Sequence, residues 1–314
     1  MSTESSSTDD RIRSLVAQTR AWLVDAGLLP GLSEAAVDAK AEVICTFATL
    51  CAPTPASARG QRLAAQLTGV FFFLDDAEPD VLRSTIDEMV PVLRDQPPPS
   101  APSGPADAFF AYLAEVSALG PVHWFKAQFL AFLEALLEEA EQLADGPLSM
   151  QGYLALRHRV IFVEEYIWTW LLSEGRPMDE AGVRGTALLR RLASEVVYLV
   201  NDLGSVERER AAGALDPNLV FLLEREEGCS EAAAVAQVVR RHDDAVARYT
   251  AERERLLQDQ PLASVSAMVG VLDDTLAGNL ETTLRLVASR YPGAAEALGQ
   301  LRAYPDRLRG HAPT

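Results

Sequence analysis

Two short stretches of this 314-residue chain concentrate oxygen ligands of the kind that hold a small divalent cation. The first is Phe71-Phe72-Phe73-Leu74-Asp75-Asp76-Ala77-Glu78-Pro79-Asp80, where two adjacent carboxylates follow a strongly apolar run. Carboxylates in such a setting are costly without a compensating cation, and magnesium commonly takes one or two of them together with phosphate oxygens. The same residues also read as a solvated helix end entering a turn. Pro79 decides part of the geometry, because it has no N–H for the Asp75 carbonyl and pushes Glu78 away from helical angles. Asp76 and Asp80 would share a face of an unbroken helix, but the proline predicts a helix end between them. Asp75 and Asp76 are therefore the principal candidate ligands and Asp80 a secondary one.

The second stretch is Asn201-Asp202-Leu203-Gly204-Ser205-Val206-Glu207-Arg208-Glu209. In a helix, Asn201, Ser205 and Glu209 fall at i, i+4 and i+8 and point to one side. They offer an amide oxygen, a hydroxyl and a carboxylate, a hard-oxygen set suited to magnesium, and Arg208 beside them can donate to a phosphate oxygen. Asn-Asp-Leu-Gly is also good turn chemistry, and Ser205 reads equally as a cap. Against a turn, the apolar pattern from Leu189 to Val200 continues in phase past Gly204. Arg157 is the third candidate. It precedes Ile161-Phe162-Val163 and Trp168-Thr169-Trp170, a segment apolar enough to be buried. An arginine there needs a carboxylate partner such as Asp76, or an anionic ligand; exposed beside Arg159, it needs neither.

Composition narrows the class of partner. A net charge of −17 leaves no basic footprint for nucleic acid, so an anionic substrate must be met by metal ions or by a few placed arginines. Apolar residues at 48% allow a large core, and no apolar run has the length of a membrane span. The amino terminus has neither a basic patch nor an apolar stretch of signal type, and Cys45, Cys51 and Cys229 lack metal-type spacing. Both point to a reducing, cytoplasmic setting.

The elements that must position these residues are helical. Apolar periodicity of helical type runs over Arg11–Ala26, Glu34–Leu50, Ser57–Asp76 and from about residue 81. It resumes after the proline-rich loop Gln96–Pro105, over about 106–118, 121–144, 149–173, 179–212, 218–226, 230–258, 262–290 and 294–303. Residues 1–9 are polar and read as a disordered tail, 10–305 as one all-α domain, and 306–314 as a second tail.

Taken in order, these features resemble bacterial class I terpene synthases over roughly residues 15–292. Asp75-Asp76 with Asp80 resembles the family's aspartate-rich motif, with one extra residue before the last acid. Asn201, Ser205 and Glu209 match its metal triad, with Arg208 at its basic position. Arg157 lies 44 residues before Asn201 in a Tyr-Leu-x-x-Arg context like that of the diphosphate-sensing arginine, and Asp216-Pro-Asn-Leu-Val resembles the segment after the triad. Three features depart from the pattern: Ile161 stands where a small residue is usual, the helix before the aspartates reads Leu67-Thr-Gly-Val-Phe71 where a tryptophan is usual, and Gly278-Asn279 is not followed by a tryptophan.

The resemblance implies an all-α, single-domain class I terpenoid synthase-like bundle with a cluster of three magnesium ions. It implies a prenyl diphosphate substrate, farnesyl by default and geranylgeranyl next, and leaves room for a homodimer. Arg157, Arg208, Arg290 and Tyr291 would contact diphosphate. Phe72, Phe73, Trp124, Phe162, Trp168, Trp170 and Tyr198 are candidate pocket rings, each of which also reads as core. A chain-elongating prenyl diphosphate synthase is the rival enzyme; such enzymes carry a second aspartate-rich motif where this chain has Asn201 to Glu209, and the other aspartate pair comparable in setting is Asp273-Asp274. A non-catalytic helical prenyl-binding protein is the rival from another class.

Overall fold

Short polar residues ahead of apolar-periodic segments set many of the helix starts. Ser33, Ser57, Ser149 and Asp179 accept from the backbone N–H groups of Ala36, Gly60, Gly152 and Gly182, satisfying donors that a first helical turn leaves orphaned. Pro79 opens its helix at a position where a missing N–H costs nothing. Gly213 closes another at φ 64°, in the left-handed region that glycine enters without a Cβ penalty.

The computed structural model describes residues 2–213, 217–259, 262–286, 295–299 and 301; every regular element among them is helical. In chain order these are α1 (Ser2–Asp25), α2 (Glu34–Leu50), α3 (Ala58–Asp76), α4 (Pro79–Leu93), α5 (Gly104–Ser117), α6 (His123–Ala144) and α7 (Met150–Val160). There follow α8 (Val163–Ser173), α9 (Glu180–Gly185), α10 (Ala187–Ala212), α11 (Leu219–Glu227), α12 (Glu231–Asp259), α13 (Ala263–Leu286) and α14 (Ala295–Gly299). None is long and apolar enough to cross a membrane.

The chain divides into two compact units, Met1–Leu137 with Glu165–Arg176, and Glu138–Glu164 with Pro177–Thr314. In the first, α1 packs on α2 and α3, α3 on α5, and α5 on α4. Gly69 permits the α1–α3 approach, since a Cβ there would lie 2.7 Å from Leu23 Cδ2. Phe109, Phe125, Phe129 and Phe132 are buried, with Phe109 stacked on Phe129 at 4.5 Å between ring centroids. Each such ring contributes about 1.5–3 kcal/mol by leaving water. In the second unit α10 is the centre, and α7, α9, α11, α12, α13 and α14 all pack against it.

Three sequence expectations are corrected. Helix α1 begins at Ser2, so the stretch read as a disordered tail is helical; Arg11 and Arg13 reach back one turn to Thr8 and Asp10. The continuous helix expected over 149–173 breaks between α7 and α8, where Phe162 takes φ 66°. A bulky residue in that region is strained, and neither glycine nor proline marks the spot. The helix expected over 179–212 is interrupted at Thr186, whose hydroxyl bonds to the Gly182 carbonyl 2.7 Å away. Arg290, Tyr291 and the tail at 306–314 lie outside the described residues.

Candidate active site

Helix α10 runs unbroken from Ala187 to Ala212, so Asn201-Asp202-Leu203-Gly204 is mid-helix and not a turn. Asn201, Ser205 and Glu209 therefore lie along one side of it at successive turns. Ser205 is fully buried and Glu209 is 7% exposed. A buried carboxylate and hydroxyl need donors, and one residue serves both. The Asn218 amide, at the start of α11, donates to Glu209 Oε2 at 2.8 Å, with Ser205 Oγ at 3.3 Å. Arg208 Nη2 reaches Glu209 Oε1 at 3.3 Å.

Arg157 comes to the same place from α7. Its Nη2 donates to Asn201 Oδ1 and to Asp202 Oδ1, each at 2.8 Å. The sequence offered Asp76 or an anionic ligand as partner for this arginine; the carboxylate that takes it is Asp202. Asp202 is fully buried and also accepts from the Tyr153 hydroxyl and, at 2.8 Å, from Leu219 N–H. Burial pushes its carboxyl above the usual carboxylate range, against the pull of Arg157, Tyr153 and the Leu219 amide. Burial, the largest single influence, likewise opposes the Arg157 charge, but Asp202, Tyr153 and Glu139 together outweigh it and raise that pKa. Arg157 Nε is buried with no hydrogen-bond partner among the described residues, so the guanidinium keeps a donor in hand.

The aspartates belong to the first unit. Helix α3 ends at Asp76 and α4 starts at Pro79, so the proline does separate Asp76 from Asp80. Asp75, Asp76 and Asp80 are all exposed. Two carboxylates on the last turn of a helix face its negative dipole end, an arrangement that favours a nearby cation. Lys40 of α2 supplies one, paired with Asp76 and 5.3 Å from the Phe72 ring centroid. Lys40 was not legible as a site residue. Its one signal was rarity, since the chain has only two lysines, Lys40 and Lys126. Given the helix end, and on the diphosphate-releasing activity that the sequence resemblance implies, Asp76→Asn is expected to lower kcat/KM about tenfold or more beyond Asp80→Asn; equal losses would tie Asp80 to the same ligand set.

Among the candidate rings, Phe72, Phe73, Phe162, Trp168, Trp170 and Tyr198 are buried and Trp124 is half-buried. Trp124 stacks on Trp168 at 5.9 Å, and Tyr198 meets Tyr153 edge-on at 5.9 Å. Tyr198 thus borders the Arg157–Asp202 pair through Tyr153. The donor set on α10 fits a hard cation: all three groups are oxygens, two are buried, and their orientation is fixed by hydrogen bonds from outside the set.

Comparison with known proteins gives three findings. A family profile described as Terpene synthase family 2, C-terminal metal binding, matches residues 67–248, a span holding Asp75, Asp76, Arg157 and the α10 triad. The 7-epi-alpha-eudesmol synthase ((2E,6E)-farnesyl diphosphate cyclizing) of Streptomyces viridochromogenes is 27% identical over 185 residues, 55% of this chain and 53% of that protein. The alignment therefore spans about half the length of that relative. With the pristinol synthase of Streptomyces pristinaespiralis the identity is 27% over 322 residues, 92% of this chain and 84% of that one. In fold, the crystal structure of the linalool/nerolidol synthase of Streptomyces clavuligerus, in complex with 2-fluorogeranyl diphosphate, matches with a TM-score of 0.75. That match has 18% identity and covers 87% of this chain and 98% of that one.

Proposed function

The chain belongs to terpene synthase family 2, the family with a C-terminal metal-binding region, and from that premise we propose that it is a class I terpene synthase. Its substrate on this reading is a prenyl diphosphate, farnesyl first and geranylgeranyl second, and its product a terpene hydrocarbon or alcohol. The observation that carries the reading is the α10 triad, three oxygen donors at helical spacing held by Asn218 and flanked by Arg157. Relatives support the substrate class, one of them named for cyclizing farnesyl diphosphate.

On this reading Asn201, Ser205 and Glu209 of the second unit are one set of magnesium ligands, Asp75 and Asp76 of the first unit are another, and the metal is a cluster of three ions. Bound magnesium supplies the charge that makes diphosphate a good leaving group. The chain's own residues do the rest. Arg157 donates its spare N–H to a phosphate oxygen, its position fixed by Asp202. Arg208 adds a second donor, and Arg290 and Tyr291 complete the set. The candidate rings for shielding the allylic cation and offering it aromatic faces are Phe72, Phe73, Trp124, Trp168 and Trp170 in the first unit, and Phe162 and Tyr198 in the second.

The rival chain-elongating reading needs Asp273 as a metal ligand. That carboxylate instead accepts from Tyr249 at 2.8 Å and Arg253 at 2.7 Å, a tie between α12 and α13. Incubation with geranyl, farnesyl and geranylgeranyl diphosphates plus magnesium tests the proposal. Farnesyl diphosphate is expected to give free diphosphate and a fifteen-carbon hydrocarbon or alcohol. A longer prenyl diphosphate as product would move the chain to the elongating class, and absence of turnover on all three would favour a binding protein.

A further inference from the structure

We propose that Asn218 is a positioning residue for the metal-holding oxygens of α10, an inference that rests on the terpene synthase reading above. Asn218 is 1% exposed, and both ends of its amide are committed. Its Oδ1 accepts from Val220 N–H at 2.9 Å and so caps α11, which fixes the plane of the amide. The Nδ2 end then faces α10. It lies 2.8 Å from Glu209 Oε2, 2.9 Å from the Asp202 carbonyl and 3.3 Å from Ser205 Oγ.

Residues 202, 205 and 209 are spaced i, i+3 and i+7, one face of the helix. Two of them, Ser205 and Glu209, are also members of the i, i+4, i+8 set. One amide therefore reaches two of the three proposed ligands from outside the set and anchors itself on the Asp202 carbonyl, one turn before Ser205. The bond to Glu209 is charge-assisted, hence stronger and more directional than a neutral one. It occupies Oε2, and the carboxylate cannot rotate without breaking it. Groups that orient metal ligands in this way typically govern affinity by about 10–100-fold.

An ordinary helix cap would use only the Oδ1 end, so the two ends separate by substitution. Asn218→Ser keeps a capping oxygen and removes the amide donor. Asn218→Asp keeps the cap and places a second carboxylate oxygen against Glu209. The test is calorimetric titration of magnesium in the presence of inorganic diphosphate, at a temperature where circular dichroism shows each variant folded. Glu209→Gln and the double variant Asn218→Ser/Glu209→Gln are run alongside.

Asn218→Ser is expected to weaken magnesium binding about 10–100-fold, and Asn218→Asp at least as much. The double variant is expected to lose clearly less than the two single losses multiplied together, because Asn218 acts in large part through that carboxylate. The inference is overturned if Asn218→Ser titrates like the parent while Glu209→Gln is weakened, which would leave Asn218 as a cap alone. If Asn218→Ser does not fold, Asn218→Asp decides by the same criterion. Should the parent not bind magnesium with diphosphate, or should Glu209→Gln bind as tightly as the parent, the metal-site reading itself falls and the inference with it.

Discussion

Asp202→Ala is expected to cost about 3–5 kcal/mol of stability, the range for breaking a buried ion pair, and to lower the melting temperature by roughly 6–20 °C. The size of the effect comes from what the substitution leaves behind. Asp202 is fully buried, and its carboxylate accepts from Arg157, the Tyr153 hydroxyl and Leu219 N–H. Alanine strands a guanidinium that is only 14% exposed, together with a buried hydroxyl and a backbone donor. The groups left unpaired, more than the bond removed, set the loss. Asp202→Asn keeps one acceptor of similar shape and should fall between the parent and the alanine variant. Thermal melts by circular dichroism measure both; a loss for Asp202→Ala under about 1 kcal/mol, the level of a surface pair, would show that the network is not cooperative.

Glu209→Gln is expected to separate chemistry from folding in the opposite way. Glutamine keeps the shape and can still accept from the Asn218 amide, so the helix content and melting temperature should stay close to those of the parent. What it loses is the one carboxylate of the α10 triad. Turnover of the prenyl diphosphate should fall by about 10²–10³-fold or more, the scale for removing one preorganised electrostatic contact to developing charge. Asn201→Ala should act in the same direction, with the added consequence that Arg157 loses an acceptor 2.8 Å away. Retained turnover in Glu209→Gln would take the triad out of the metal site.

What the sequence carried, and what it did not, follows from the range of the interactions. The helical register of Asn201, Ser205 and Glu209 is a local property, and the apolar pattern through Val200 kept phase across residues that otherwise suggest a turn. The helix end before Pro79 was equally local. Asp202 and Asn218 were not legible as site residues because their roles are made by packing. Asp202 is buried only because α7 and α11 both lie on α10, and Asn218 looks like any cap until its second end finds Glu209. The break at Phe162 had no signal at all, since Ile-Phe-Val carries none of the residues that mark a helix end. There the backbone is held in an unfavourable region by its surroundings.

The place of α10 at the centre of its unit has a kinetic corollary. With α7, α9, α11, α12, α13 and α14 all packed on it, its middle amides exchange with solvent only when the unit opens as a whole, so they sit at the slow end of any hydrogen-exchange profile. The face that presents Asn201, Ser205 and Glu209 is thus rigid before anything binds. Little ordering entropy remains to be spent there on capture of a ligand, and whatever closure accompanies binding falls to segments outside this helix.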